Sequence, residues 1–148
     1  FGTDHPMMRS QLDEVGDHHL VMEAPNPAAV EQRLNSHGAA FVSVALSPGV
    51  PRAEAAARIA AVLGGLAQRL DAPGTLVVAG GETLRGLCGA LGTERLDVVG
   101  EVMPGIPCSV LSGGRWSGTT VVSKSGAFGA PDLLRTLLAA EAAPLVGA

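Results

Sequence analysis

Thr75-Leu76-Val77-Val78-Ala79 runs directly into Gly80-Gly81-Glu82-Thr83-Leu84-Arg85-Gly86-Leu87-Cys88-Gly89-Ala90-Leu91-Gly92. The unbroken apolar run reads as a strand buried on both faces. Two glycines end it. Leu84, Leu87, Cys88 and Leu91 then recur at helical spacing, and Gly92 follows as a C′ glycine would. A strand passed through a glycine turn into a helix is the building unit of an α/β fold.

The flanking sequence repeats the alternation. Upstream, residues 51–70 read as the longest helix, with Ile59, Val62, Leu63, Leu66 and Leu70 on one face. Residues 41–46 form a strand closed by Ser47-Pro48-Gly49, and residues 19–22 a shorter one. Between them, Asn26-Pro27 supplies an N-cap and a first-turn proline. Asp4 is positioned to cap a first helix carrying Met8, Leu12 and Val15. Downstream, residues 96–99 read as a strand, and Met103-Pro104-Gly105-Ile106-Pro107 is rigid turn chemistry. Residues 109–111 and 119–123 bracket a 112–118 turn as an antiparallel hairpin, and Pro131 opens a last helix with Leu133, Leu134, Leu137 and Leu138. The expectation is one α/β domain over residues 1–148 in three layers. Its sheet is mostly parallel, with helices on both faces and a C-terminal antiparallel hairpin.

Composition narrows the partners. The 148 residues are 47% apolar and 16% charged, with a net charge of −4 and a pI near 5.5. That leaves no basic footprint for nucleic acid. With three Phe, one Trp and no Tyr, no stacking platform for single strands stands out. No apolar run reaches the roughly 18 residues of a membrane span. Cys88 and Cys108 stand apart, as reduced thiols of a cytoplasmic protein do. His18-His19 lacks carboxylate or Cys partners, so no metal site is expected. The opening Phe1-Gly2-Thr3-Asp4-His5-Pro6 carries no signal-peptide or transit-peptide chemistry and reads as a turn entered in mid-fold.

Ligands of open α/β sheets bind beyond the carboxyl ends of the strands. At such an end, Gly80 and Gly81 would let the chain approach a ligand closely, and Glu82 and Thr83 open a helix with unpaired N–H groups suited to phosphate. The same residues also suit a tight strand-to-helix turn that binds nothing. A second segment, Ser123-Lys124-Ser125-Gly126-Ala127-Phe128-Gly129, holds the only lysine among ten basic residues. It is not a P-loop, which needs Gly directly before Lys and a helix directly after. Lys124 there suits a phosphate, or equally a hairpin edge guarded against aggregation. Phe128 reads as a core anchor. No catalytic elbow, metalloprotease helix or dinucleotide fingerprint appears.

Three motifs, in order, resemble one family. Gly80-Gly81-Glu82-Thr83, then Gly100-Glu101-x-x-Pro104-Gly105-Ile106-Pro107, then Lys124-Ser125-Gly126-Ala127-Phe128-Gly129 with Pro131-Asp132-Leu133-Leu134 are similar to the C-terminal nucleotide-binding domain of four-carbon acid sugar kinases. Gly2-Thr3 followed by Gln11 resembles the turn and downstream Gln that open that domain. The resemblance implies a kinase of the 3-oxo-tetronate, threonate or erythronate class that binds ATP or ADP, with magnesium held mostly by phosphates and water. It implies nucleotide contacts at Thr3, Gly80, Gly81, Glu82, Thr83 and Gly126, and matches Lys124 as a phosphate or loop-ordering residue. Thr3 replaces the usual Ser, and Ala127 a usual Gly or Asn. The family's sugar-acid domain, with its catalytic Asp, has no counterpart in these residues. The catalytic residue is therefore unassigned, the isolated chain is expected to be inactive alone, and a separate or excised N-terminal domain or a second copy is its expected partner. The alternative is a non-catalytic module that binds a phosphorylated metabolite or a protein.

Overall fold

A computed structural model describes residues 5–141. Helix α1 (Pro6–Glu14) leads through a 3-10 turn, Gly16–His18, into strand β1 (His19–Met22). Then come α2 (Pro27–His37), β2 (Phe41–Val44), α3 (Arg52–Ala67), β3 (Thr75–Ala79) and α4 (Gly81–Leu91). The chain finishes with β4 (Arg95–Met103), β5 (Ile106–Ser112), β6 (Thr120–Lys124) and α5 (Leu133–Glu141). The Asn26 side chain caps α2 by accepting from the Ala29 N–H at 3.2 Å, and Gly92 ends α4 in the left-handed conformation. Asp4, expected as the first cap, lies outside the described residues. His5 stands at the N-cap, its Nδ1 accepting from the Met7 N–H at 3.2 Å.

The α/β class is as expected, but the strands are not one mostly parallel sheet. β1 and β2 form a parallel pair of their own, and a four-stranded sheet has the order β3-β6-β5-β4. In it β3 and β6 are parallel, whereas β6–β5 and β5–β4 are antiparallel. The hairpin expected between residues 109–111 and 119–123 is the β5–β6 pair. A second hairpin adds the antiparallel weight. Pro104 and Gly105 turn β4 straight back into β5, so the strand expected over 96–99 extends from Arg95 to Met103.

Adjacent strand residues point to opposite faces, and the core divides accordingly. Val78, Leu111 and Val121 join Ile59, Leu63, Leu66, Leu87 and Trp116 in one cluster against α3 and α4. Ala79, Ile106 and Val122 join Met8, Leu12, Leu134 and Leu137 in the other, against α1 and α5. Helices therefore cover both faces of the four-stranded sheet. Each of these Leu or Ile side chains contributes roughly 1.5–3 kcal/mol by leaving water.

Candidate functional site

Parallel pairing of β3 with β6 aligns Ala79 with Lys124. The carboxyl ends of both strands thus lie side by side, joined by the Gly80 N–H donating to the Lys124 carbonyl at 2.9 Å. β5 runs antiparallel beside β6 with Cys108 opposite Val122, which brings the Pro104-Gly105 turn to the same end. All three motifs singled out in the sequence therefore lie at one end of the sheet, beyond the carboxyl ends of β3 and β6. In sequence the outer two are more than forty residues apart; register alone unites them.

Gly80 has φ +98° and ψ 128°, a backbone conformation that a side chain would strain. It lets β3 stop and α4 start within one residue. At Gly81 an added Cβ would meet no atom within 4 Å, so the first turn of α4 faces open space. Glu82 is exposed, and Thr83 is buried beside Gly80. The free first-turn amides and the helix dipole make this end attractive to an anion. Thr3 lies outside the described residues.

Lys124 is not a guard on a hairpin edge. β6 lies inside the sheet, and the side chain is only 5% exposed. Its Nζ donates to the carbonyls of Ser125 at 2.7 Å and Gly126 at 3.3 Å. Burial draws its pKa down to about 8, because the charged amine loses water. Gly126 is half-buried in the loop that Lys124 holds. Phe128 departs from the expected core anchor: it is 40% exposed, and its ring lies over Gly105, where an added Cβ would come within 2.8 Å of Cζ. It ties the β4–β5 turn to the loop after β6.

Gln11 carries more of the site than its sequence motif suggested. It is fully buried on α1, and its Nε2 donates to the carbonyls of Phe128 at 3.0 Å and Ala130 at 2.9 Å. The signal was available: Met8, Gln11, Leu12 and Val15 follow the i, i+3, i+4, i+7 stripe, so an amide stood on an apolar face. His18 and His19 serve structure, His18 beside the Val15 carbonyl and His19 beside Ser43 Oγ at 2.7 Å. No trio of His, Cys, Asp or Glu is grouped for a metal among the described residues. Two surface clefts flank this region, one lined by Asp17, Arg33 and His37, the other by Val77, Val122 and Leu137 together with Gly100 and Glu101 of the second motif. Neither cleft is lined by the Gly80 turn or residues 125–130, and the backbone at Gly81 forms an open ledge.

The family described as Nucleotide-binding C-terminal domain matches residues 5–134. A 79-residue stretch is 37% identical to the D-threonate kinase of Bordetella bronchiseptica, covering 51% of this chain and 20% of that protein. An 84-residue stretch is 38% identical to the 3-oxo-tetronate kinase of Pseudomonas savastanoi pv. phaseolicola, covering 55% and 19%. Among solved structures, a domain of unknown function from Bordetella bronchiseptica, crystallised with citrate as a domain-swapped dimer, superposes with a TM-score of 0.68 at 25% identity, over 92% of this chain and 38% of that one. A Haemophilus influenzae protein shares the fold with a TM-score of 0.69 at 19% identity, over 90% and 37%. The chain spans about a fifth of the length of the curated relatives it matches. With the matched motifs gathered at one sheet end, the chain belongs to the family of nucleotide-binding C-terminal domains, the kind carried by four-carbon acid sugar kinases.

Proposed function

We propose that this domain binds ATP or ADP across the Gly80 turn and the loop after β6, as the nucleotide-holding part of a cytoplasmic kinase for a four-carbon sugar acid. The observation that supports the reading is the alignment of Ala79 with Lys124, which sets the start of α4 and the loop after β6 at the same end of the sheet. Gly80, Gly81, Glu82 and Thr83 would receive phosphate through backbone amides, and Lys124 and Gly126 would wall the other side. Thr3 would add a hydroxyl. No described atom lies within 4 Å of where a Gly81 side chain would begin, which leaves that approach to the backbone open to a ligand. Magnesium would ride on phosphate oxygens and water, with no protein cage needed.

Phosphoryl transfer needs two substrates held together with their charge stabilised. The ledge offers backbone for one, the nucleotide. The second substrate and the catalytic base would come from another domain, so residues 1–148 alone would turn over no sugar acid. Self-association is also part of this reading: β4 is an edge strand with exposed valines, and the Bordetella relative is a domain-swapped dimer.

Calorimetry with MgADP tests the reading. Binding by the native chain is expected, weakened at least tenfold by Gly81→Val. That substitution enters open space and leaves the melting temperature within a few degrees of the native value. No heat at millimolar nucleotide from a folded chain would overturn the nucleotide assignment.

A further inference from the structure

The loop over residues 125–130 is shaped by two buried polar side chains from different elements. Lys124 donates to the carbonyls of Ser125 and Gly126, and Gln11 to those of Phe128 and Ala130. A trans peptide sets each C=O opposite the N–H that follows it, and no cis bond occurs in the described chain. Inward carbonyls at 125, 126 and 128 therefore turn the N–H groups of Gly126, Ala127 and Gly129 away from the buried donors. None of these three amides donates to another described residue. Ala130 precedes Pro131, which has no N–H to present.

We propose that Gln11 and Lys124 are positioning residues of the nucleotide site, pulling the loop carbonyls inward so that the amides of Gly126, Ala127 and Gly129 face a phosphate group. The proposal rests on the nucleotide reading above. Carbonyl oxygens repel an anion and amides attract it, so the orientation of these peptide planes decides whether the loop accepts phosphate. The two donors also carry costs that packing alone does not require. Lys124 buries an ammonium group that a methionine of similar length would avoid. Gln11 leaves Oε1 buried without a hydrogen bond among the described residues. Both costs are understandable if the side chains are there to orient the loop.

Nuclear magnetic resonance of the isotope-labelled chain during an ADP titration reads the amides directly. Shifts at Gly126, Ala127 and Gly129 are expected together with shifts at Gly81 and Glu82. Gln11→Leu and Lys124→Met should each weaken ADP at least tenfold and abolish the loop shifts. The Gly81 and Glu82 shifts should persist at saturating ADP in each variant that remains folded. Lys124→Arg, which keeps a donor, should recover part of the affinity. Shifts confined to the Gly80 turn, or folded variants with native affinity, would overturn the positioning role while leaving nucleotide binding intact. An absence of any shift in the native chain would remove the nucleotide reading and this one with it. If Gln11→Leu fails to fold, Lys124→Met and the native loop shifts decide.

Discussion

Lys124 concentrates the chemistry of the site in one side chain. Its folded pKa lies near 8 against 10.5 for the free amine, so between these values the unfolded chain holds the extra proton. Stability contributed by this group therefore rises as pH climbs from about 8 towards 10.5, and the burial penalty is fully present below pH 8. Denaturant titrations should show native stability gaining on that of Lys124→Met across this window, and an identical pH slope for the two would contradict the buried amine. The absence of Tyr removes one competing titration. As a lone lysine beside glycines this residue was visible in the sequence, but its burial was not. Whether an amine at a strand end meets water or carbonyls depends on which strand lies beside it, and β6 turned out to be interior.

At the scale of elements, the loop between β5 and β6 fastens two helix ends. Trp116 is buried, and its Nε1 donates to the Leu70 carbonyl at 3.3 Å. Arg115 reaches the same oxygen at 3.2 Å, and its backbone N–H donates to the Leu91 carbonyl at 2.8 Å. Carbonyls beyond α3 and at the end of α4 thereby gain donors they would otherwise lack. Trp116→Phe removes the indole bond and leaves a smaller ring in the core, so a loss of about 2 kcal/mol is expected in denaturant unfolding. Helices and caps were legible here because Asn26, Pro27 and Gly92 act on immediate neighbours. The β4–β5 hairpin was harder. Met103-Pro104-Gly105 announced a turn, but not that the strands on either side would pair along their length.

Over the whole molecule, the conspicuous surface is β4. Val98 is 72% and Val99 64% exposed, and they sit at a bulge, where the pairing of β4 with β5 shifts register between Val98 and Gly100. A long apolar edge strand offers unpaired backbone groups to another chain. The self-association proposed above should then appear in sedimentation equilibrium as a concentration-dependent dimer. A double substitution, Val98→Lys with Val99→Lys, should weaken it at least tenfold without lowering the melting temperature. Native-strength association by the folded double variant would move the interface away from this strand.

Local chemistry decided which elements exist. Glycine and proline positions set the turns, periodic leucines the helices, and unbroken valine runs the buried strands, because each acts over a few residues. Resemblance carried in three short motifs was enough to point to a nucleotide-binding domain. Only the tertiary structure decided that β1 and β2 pair apart from the other four strands, that Lys124 is buried, and that Gln11 grips a loop more than a hundred residues away. Those outcomes depend on strand order and register, and the energy that selects them comes from packing both faces of a sheet at once.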